Sequence, residues 1–399
     1  MPKVVYILAA GIFAMVTSEF TVSGLMPQLA TGLHVDVSHI GYLVTAFALA
    51  MSIGGPLLTM LLLEWPPRRA LLVLFAVFLA GNLLAAVAPT YSVLLLARLV
   101  TGAASGAFFG VAITAAGQAV SPTLRVRATA TALQGLMLGT TLGLPLATWI
   151  GGLWGWRAAF AGIGVLTVVA AVATARFVPL VETEPKEIQN LRSELGVFRS
   201  RRLWAVMSTS TLVISAAFAG FSYFTPILTE KTGIGLGAIP ALLVVYGAVT
   251  VVGNALVGRL ADRFTTATLV VGTTLSAAFL AVFAVAAQNP WAAIPAMLGI
   301  GLVGVTMNPA LVTRVQRSGN AGALVNTVHS SMITFGVVIG SALGGVGIHV
   351  AGLRAPLWIG VVLALGAIAT MIPDLVRERS RGGFGCGRTL ASATPDKRR

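Results

Sequence analysis

Long apolar runs that return at short intervals constrain the fold of this chain more than any other feature. Residues 70–88 and 266–286, for example, contain no charged side chain. Only 10% of all residues are charged, against about 25% in soluble domains. A chain of this composition cannot cover a surface that faces water, so we expect lipid to be its solvent.

The length of these runs sets the number of membrane-spanning helices. One helix needs roughly 20 apolar residues, so twelve helices use about 240 of them. The rest of the 399 residues suits short loops, one longer central loop and a tail. The runs are continuous and lack a period of two, which excludes a membrane β-barrel. We therefore predict an all-α membrane protein with spans at 4–26, 40–63, 70–88, 92–113, 128–150, 158–178, 203–228, 238–260, 266–286, 291–313, 322–349 and 356–373.

The two ends of the chain add further expectations. The first run starts at Val4 behind a single Lys3 and passes the length of a signal peptide without a small-residue cleavage site. We expect it to remain as helix 1 of the mature protein. The one cysteine, Cys386, lies in the polar tail, which allows no intrachain disulfide and argues against a cysteine-based metal site. We predict neither a metal nor a cofactor.

The basic residues predict the orientation of the helices. The net charge is +14, but the charges lie in short loops between apolar runs, which is typical of membrane topology and not of a nucleic-acid-binding surface. Over the predicted loops, 22 Lys and Arg residues fall on one side and three on the other, while Arg98 falls inside a span. By the positive-inside rule, both termini are cytoplasmic and the number of spans is even.

Similarity between the two parts of the chain indicates paired halves. Helix 1 ends in GLMPQLA and helix 7 ends in FTPILTE, and each part carries a basic turn after its second helix. Paired halves that meet at a midplane site are a transporter architecture. We predict an N-terminal six-helix half at 1–178, a cytoplasmic central loop at 179–202, a C-terminal six-helix half at 203–373 and a disordered basic tail at 374–399.

The two basic turns carry the first family resemblance. GRLADRF at 258–264 resembles the loop motif of the major facilitator superfamily, which recurs between helices 2–3 and 8–9, and WPPRRALL at 65–72 occupies the equivalent place in the first half. The resemblance implies two pseudo-symmetric six-helix halves, the major facilitator fold. The residues that match the motif are Gly258, Asp262 and Arg263 in one copy and Glu64, Arg68 and Arg69 in the other.

The acidic residue of each copy predicts a conformational latch. Asp262 is expected where helix 8 meets the cytoplasm, and a carboxylate there can bind the positive end of a helix that starts from the same side. By the pseudo-symmetry, its partner is helix 5, and Glu64 pairs likewise with the start of helix 11, near Arg317. Such contacts would hold the halves together on the cytoplasmic side. Solvated loop charges are the alternative.

A pair of charged residues is predicted inside the membrane. LARLVTGAASGA at 96–107 resembles the family's helix 4 motif, in which an intramembrane arginine, here Arg98, is followed by Gly102 and Gly106. Arginine is costly in hydrocarbon and should face the bundle interior with a partner. Glu19 is the one acidic residue that falls within a predicted span. At 1.5 Å per residue, Glu19 and Arg98 lie within about one turn of the same depth.

We therefore predict that Glu19 binds and releases the proton, and that Arg98 is its charge partner and tunes its protonation. Desolvation favours the neutral carboxylic acid, whereas a nearby guanidinium favours the carboxylate. Substrate or a change of conformation could shift this balance. A static ion pair that fixes helix packing is the alternative.

Helix 5 carries a further resemblance. GTTLGLPLATWIGG at 139–152 resembles the helix 5 signature of exporters in the family, with Gly139, Gly143 and Pro145 at motif positions. Small residues allow close helix contact, and an interior proline bends the helix. The resemblance favours an antiporter over a symporter. An ordinary small-residue packing face is the alternative.

The opening segment, MPKVVYILAAGIFAMVTSEFTVSGLMPQLA, resembles bacterial drug:proton antiporters of the twelve-helix class, above all chloramphenicol-resistance exporters and the related sugar-efflux group. This resemblance implies a transporter and not an enzyme. The protein would be a monomer in the bacterial cell membrane. It would export small amphipathic molecules, with a chloramphenicol-like antibiotic as the expected substrate, in exchange for protons by alternating access.

Polar and aromatic residues in the second half are candidates for the wall of a substrate cavity. The aromatic residues of helix 7 would face helix 1, and the others bring hydrogen-bonding groups into apolar spans. Plain helix packing is the alternative for each. The candidates are Phe218, Phe221, Tyr223, Asn254, Asn308, Asn326 and His329.

Other functions are left open by the sequence. Export of sugars or nucleosides would need more hydrogen-bonding groups in the cavity, and a membrane sensor or channel would lack proton-driven accumulation. An intramembrane enzyme finds support only in His329-Ser330-Ser331, without paired carboxylates, a metal-ligand cluster or a nucleophile motif. The sequence contains no Gly-x4-Gly-Lys-Ser/Thr loop, which argues against an ATP-driven pump.

Overall fold

The structure is a computed structural model, and it describes residues 1–62, 65–121, 124–178, 196–318 and 323–382. Within these residues, twelve helices are long and apolar enough to cross a membrane. The prediction of an all-α protein with twelve spans is confirmed.

The helices are numbered α1 to α12 in chain order. Three of them are interrupted: α5 by a π-helical turn, α7 by a two-residue break and α10 by a short 3-10 turn. The bounds are α1 (Lys3–Leu33), α2 (Val37–Leu61), α3 (Pro67–Ala86), α4 (Tyr91–Gln118), α5 (Arg125–Leu138, Gly139–Gly143 and Leu144–Trp154), α6 (Trp156–Phe177), α7 (Arg201–Phe221 and Phe224–Glu230), α8 (Leu236–Ala261), α9 (Arg263–Val285), α10 (Pro290–Val303, Val305–Met307 and Asn308–Ser318), α11 (Ala323–Ala351) and α12 (Ala355–Gly382).

Two helix ends differ most from the predicted ones. Helix α1 continues through Pro27, because a proline inside a membrane helix is tolerated where neighbouring groups satisfy the freed backbone. It ends where His34 adopts left-handed backbone angles (φ 55°, ψ 45°). Helix α12 continues to Gly382, so residues 374–382, which the sequence predicts to be a disordered tail, are helical. A helix does not need apolar residues to continue past the end of a span.

The two ends of the helical bundle differ in charge. Short connections join consecutive helices within α1–α6 and within α7–α12, so the helices of each run alternate in direction. We call the end that carries the N-terminus the basic end, and the opposite end, with the α1–α2 connection at 34–36, the distal end. The arginines at the basic end include Arg68, Arg69, Arg127, Arg176, Arg202, Arg259, Arg263, Arg314 and Arg317.

Contacts group the helices into two sets. Helices α1–α6 pack on one another, chiefly α2 and α3 on α4 and α5 on α1, and helices α7–α12 do the same, chiefly α8 and α9 on α10 and α11 on α7. The sets meet along α2 with α11, along α5 with α8, and where α1 contacts the second segment of α7. Helix α5 reaches α8 through residues 139–154, whereas residues 125–138 pack on α1 and α4. The contact of α5 with α8 therefore lies in the middle and distal parts of the bundle.

Glycines let α2 and α4 approach until their backbones touch. A Cβ atom at Gly102 would overlap the carbonyl oxygen of Phe47, and one at Gly106 would lie 2.5 Å from that of Met51. Gly55 of α2 faces Gly106 in the same way. Small residues permit this approach, and it holds α4, which carries the intramembrane arginine, directly against α2.

Gly102→Ala is expected to destabilise the protein, because the new methyl group would meet a backbone atom. Overpacking of this kind costs about 1–3 kcal/mol. Gly117→Ala on the same helix is the matched control: a Cβ atom there meets nothing within 4 Å, and alanine is favoured over glycine in a helix by roughly 0.5–1 kcal/mol. Thermal unfolding in detergent should show a lower midpoint for Gly102→Ala alone. Equal midpoints would contradict this account of the packing.

Helix α5 packs on α1 through a second row of glycines and is irregular there. A Cβ atom at Gly139 would lie 2.7 Å from Cβ of Val16, and one at Gly143 would overlap Oγ1 of Thr17. Residues 139–143 form the π-helical turn, and Pro145 lies at the start of the α-helical segment that follows. Because proline has no N–H to continue the regular hydrogen-bond pattern, the irregular turn falls directly before it. The motif predicts a bend here but not a π-helical turn.

Candidate functional site

Arg98 on α4 is one of the largest fully buried side chains among the described residues, with 1% of its surface exposed. Its Nη1 donates to the carbonyl oxygen of Ser18 at 2.7 Å, and its Nη2 donates to that of Glu19 at 3.0 Å. The guanidinium also lies over the ring of Phe47 on α2, 4.1 Å from the ring centre. The side chain therefore joins α4 to α1 and α2 at the level of Glu19, as the depth argument predicts.

The carboxylate of Glu19 is not ion-paired with this arginine. Both residues are described by the structure, and no nitrogen of Arg98 lies within 4.0 Å of a Glu19 carboxylate oxygen. The arginine reaches Glu19 through the backbone carbonyl instead. The two residues therefore do not form the static ion pair that the sequence left open as the alternative. The proton-carrying role of Glu19 stays a prediction.

Glu19 lies on α1 at the boundary between the two sets of helices. Its side chain is partly exposed, whereas Ser18 and Phe20 beside it are buried. Met15, one turn earlier on the same face, has its sulfur 3.5 Å from Oγ of Ser105 on α4, and Phe20 packs on α7. Glu19 therefore lies between the face of α1 that contacts α4 and the face that contacts α7.

An aromatic cluster lies next to Glu19 and joins the two sets of helices. The ring of Phe20 is 6.1 Å from that of Phe218 and 5.5 Å from that of Phe221, measured between ring centres. Phe221 in turn stacks on Tyr246 of α8 at 5.5 Å. The two phenylalanines of α7 thus lie opposite α1, where the sequence predicts them. Their contact with a substrate stays a prediction.

Tyr223 is not part of the wall opposite α1, contrary to the prediction. It lies in the break of α7, is 0% exposed, and donates from its hydroxyl to the carbonyl oxygen of Ser341 on α11 at 2.7 Å. The break at residues 222–223 turns this side chain away from the face that carries Phe218 and Phe221.

Tyr223 connects the two sets of helices in the distal part of the bundle. It approaches α2 so closely that a Cβ atom at Gly41 would overlap its hydroxyl oxygen and lie 2.6 Å from Cζ. Thr45, one turn further along α2, shares a hydrogen bond of 2.9 Å with the hydroxyl of Ser341. We call Gly41, Thr45, Tyr223 and Ser341 the distal lock, because their contacts must break before α2 can separate from α7 and α11.

The remaining cavity candidates have different surroundings. His329 is buried, and its Nε2 lies 2.9 Å from the hydroxyl oxygen of Ser210 on α7. This contact between helices agrees with the packing alternative. Asn308 begins the last segment of α10, and its Oδ1 is buried without a hydrogen-bond partner in the described part of the chain. Asn254 is partly exposed on α8. The side chain of Asn326 lies outside the described residues.

The acidic residues of the predicted latch, Glu64 and the side chain of Asp262, lie outside the described residues. Arg69 and Arg263 are exposed at the basic end. A Cβ atom at Gly258 would meet nothing within 4 Å, so packing in this conformation does not require a glycine there. The latch stays a prediction.

Two arginines near the predicted latch contact helices of their own set. Arg68 donates to the carbonyl oxygen of Ala175 near the end of α6. Arg317 donates to Oγ1 of Thr265 on α9 at 2.7 Å. Both contacts join helix ends at the basic end, the first within α1–α6 and the second within α7–α12.

The sequence analysis missed a charge cluster at the basic end of the second set. Asp374 on α12 accepts from Nη2 of Arg314 on α10 at 2.7 Å and lies 3.7 Å from Arg202 on α7. Arg314 is 5% exposed, so the closer pair is largely buried and connects the ends of α10 and α12. The sequence could have predicted this cluster, because Asp374, at the end of the last span, lies on the same predicted side as Arg202 and Arg314, which are also at span ends.

Comparisons of the sequence identify relatives over nearly the whole chain. A profile of the Major Facilitator Superfamily matches residues 8–334. The inner membrane transport protein YdhP of Escherichia coli K12 is 33% identical over 365 residues, which cover 90% of this chain and 91% of that protein. The chloramphenicol resistance protein of Streptomyces lividans is 31% identical over 377 residues, which cover 94% and 96%. A chloramphenicol efflux pump of Mycobacterium tuberculosis is 28% identical over 351 residues, which cover 85% and 84%.

Solved transporter structures share the fold. A bacterial homologue of the human lysosomal transporter Spinster, in an inward-facing and unoccupied conformation, matches with a TM-score of 0.75 at 15% identity and covers 92% of this chain and 95% of that one. A mutant of the nucleoside transporter NupG matches with a TM-score of 0.71 at 14% identity, over 94% and 98%. From the profile match, the relatives above 30% identity and the twelve-helix fold, we conclude that the chain is a multi-pass membrane transporter and belongs to the Major Facilitator Superfamily.

Proposed function

We propose that this transporter exports small amphipathic molecules, above all a chloramphenicol-like antibiotic, from a bacterial cell in exchange for protons. One observation carries the proposal: Glu19 lies on α1 at the boundary between the two sets of helices, beside buried Arg98 but not paired with it. A carboxyl group in such a place can take up and release a proton when its surroundings change. The proton gradient is the energy source, and no bound cofactor takes part.

Alternating access is the proposed mechanism. The distal lock joins α2 to α7 and α11, and the contact of α5 with α8 uses residues 139–154 of α5. If the basic end is cytoplasmic, as the positive-inside rule predicts, the present conformation is closed towards the outside. Substrate then reaches the aromatic cluster from the cytoplasm or the inner leaflet. Opening of the lock exposes Glu19 to protons from outside.

The proposed substrate class follows from the groups at this boundary. Phe20, Phe218 and Phe221 lie beside a single carboxyl group, which suits a neutral or weakly polar molecule with an aromatic ring. The names of the relatives in Streptomyces lividans and Mycobacterium tuberculosis support a phenicol. Export of sugars or nucleosides is the second candidate. It is favoured by Oδ1 of Asn308, which has no hydrogen-bond partner among the described residues and can accept a hydrogen bond from a polar substrate.

Drug susceptibility and vesicle uptake test the proposal together. An efflux-deficient bacterial host that expresses the chain should grow at higher phenicol concentrations than the same host without it. Inverted membrane vesicles should accumulate labelled chloramphenicol when their interior is acidified, and a protonophore should stop the accumulation. Competition by sugars or nucleosides would favour the second candidate. Accumulation that persists after the gradient has collapsed would refute proton exchange.

Arg98→Lys is expected to abolish this uptake although it keeps the positive charge. The arginine donates to two adjacent carbonyl oxygens and lies over the ring of Phe47, and a single ammonium group cannot do both. Arg157→Lys is the matched control, because Arg157 also donates to a carbonyl oxygen and lies over a ring, that of Trp156, but at the exposed distal end. We expect near-normal uptake from the control, and normal uptake by Arg98→Lys would contradict the assigned geometry.

A further inference from the structure

Arg98 is held by residues to which the sequence analysis assigns no role. Ser18 of α1 accepts from its Nη1 twice, through the carbonyl oxygen at 2.7 Å and the hydroxyl oxygen at 3.4 Å. The hydroxyl of Ser18 donates in turn to Oδ1 of Asn82 on α3 at 3.1 Å. Phe47 of α2 covers the guanidinium. Of these three buried residues, Ser18 and Phe47 contact the guanidinium directly, and Asn82 supports it through Ser18.

The directions of the hydrogen bonds in this chain of contacts are fixed. Nδ2 of Asn82 donates to the carbonyl oxygen of Phe78 at 2.9 Å, so the amide oxygen is the atom that faces Ser18. The Ser18 hydroxyl has one proton and donates it to Asn82, which leaves its lone pairs for Arg98. Ser18 and Asn82 are 0% exposed, where an unmade hydrogen bond is costly. The guanidinium therefore has one favoured position.

This position keeps the guanidinium on the backbone of α1 and out of ion-pair distance, 4.0 Å, of the Glu19 carboxylate. Its two terminal nitrogens donate to the carbonyl oxygens of Ser18 and Glu19. We propose that Ser18, Asn82 and Phe47 are positioning residues that hold Arg98 on these carbonyls and thereby leave the Glu19 carboxyl group free to bind a proton. The proposal rests on the proposed role of Glu19 in proton exchange, but its test does not measure transport.

A merely structural role makes a different prediction. If the three residues only fill space, their loss lowers stability without changing the chemistry of Glu19. If they position Arg98, their loss frees the guanidinium to pair with the nearest anion, the Glu19 carboxylate. Dicyclohexylcarbodiimide distinguishes the two cases, because it modifies protonated carboxyl groups in apolar surroundings and does not react well with a carboxylate that is paired with arginine.

The experiment uses the purified full chain in detergent and follows modification of Glu19 by mass spectrometry of the peptide that contains it. We expect Ser18→Ala, Asn82→Ala and Phe47→Leu each to slow modification severalfold. Ser18→Thr, which keeps the hydroxyl, should restore the rate. Phe75→Leu is the matched packing control, because Phe75 is also fully buried but packs on Phe108, with ring centres 4.7 Å apart.

The possible outcomes distinguish a positioning role from a merely structural one. Unchanged modification in folded variants, an equal fall in Phe75→Leu, or no modification of Glu19 in the unaltered chain would each overturn the proposal. Phe47→Leu keeps the test decisive if the polar variants do not fold, because leucine preserves most of the buried volume. Modification as expected without proton-driven uptake would refute the proposed function and leave the positioning role intact.

Discussion

Glu19→Gln is expected to abolish proton-driven uptake of chloramphenicol into inverted vesicles, while the protein still inserts into the membrane. The amide has nearly the shape of the acid but does not exchange a proton under these conditions. Glu19 is the one acidic residue within the predicted spans, so no second carboxyl group there can take over. We expect uptake, and phenicol resistance of the host, to fall to the level found without the chain.

The control for Glu19→Gln is the same exchange at an exposed position. Glu230 ends α7 at the distal end and is exposed, so Glu230→Gln should transport normally. Immunoblots of the membrane fraction confirm that equal amounts of each variant are compared. Undiminished uphill uptake by Glu19→Gln would reject the proton-carrying role.

Gly41→Ala is expected to open the distal end of the transporter. The added methyl group would overlap the hydroxyl oxygen of Tyr223, which is fully buried and bonded to Ser341 and so has little room to withdraw. If the closed state alone carries an overpacking cost of about 1–3 kcal/mol, the equilibrium shifts towards the open state by roughly 5- to 150-fold. Helix α2 should then separate from α7 and α11.

Thiol labelling measures this opening. The sequence has one cysteine, Cys386, so Cys386→Ser gives a cysteine-free chain. Ala48→Cys then introduces a thiol seven residues after Gly41, on the same face of α2, where residue 48 is 1% exposed. In intact cells, a membrane-impermeant maleimide should label this cysteine faster when Gly41→Ala is present.

Two controls tie faster labelling to the distal lock. Gly41→Ala should add nothing in a Tyr223→Ala background, because the overlapping hydroxyl is gone and the two changes act on one contact. Gly237→Ala at the distal end of α8 should leave labelling unchanged, since a Cβ atom there meets nothing within 4 Å. The same increase in both backgrounds would show that Gly41 acts by some route other than Tyr223.

Charges within the membrane could be predicted from the sequence, because a charged residue in an apolar run is costly. Glu19 and Arg98 stand out for this reason, and the helical rise of 1.5 Å per residue brings them to one level. The same reasoning would have found Asn82, the one amide in the apolar run of α3. The depth of the two residues does not predict which oxygen of Glu19 accepts from Arg98. The arginine donates to the backbone carbonyl of Glu19 and not to its carboxylate.

Irregular stretches of helix could not be predicted in this way. Tyr223 follows Phe221 by two residues in the aromatic segment FAGFSYF, and only the break at 222–223 turns it towards α11. The π-helical turn at 139–143 depends likewise on how α5 meets α1, which composition does not encode. Both features arise from contacts between distant segments, whereas the span pattern arises from local hydropathy.

The rows of glycines also limit how this transporter can change its substrate range in evolution. Between α2 and α4, and between α1 and α5, the helices touch at glycines such as Gly102 and Gly143, so larger side chains there would deform the scaffold before they could alter selectivity. Adaptation to a new compound is therefore confined to residues that line the boundary without bearing these contacts, such as Phe218 and Phe221. Drug-selected variants should accumulate at such positions and spare the glycines.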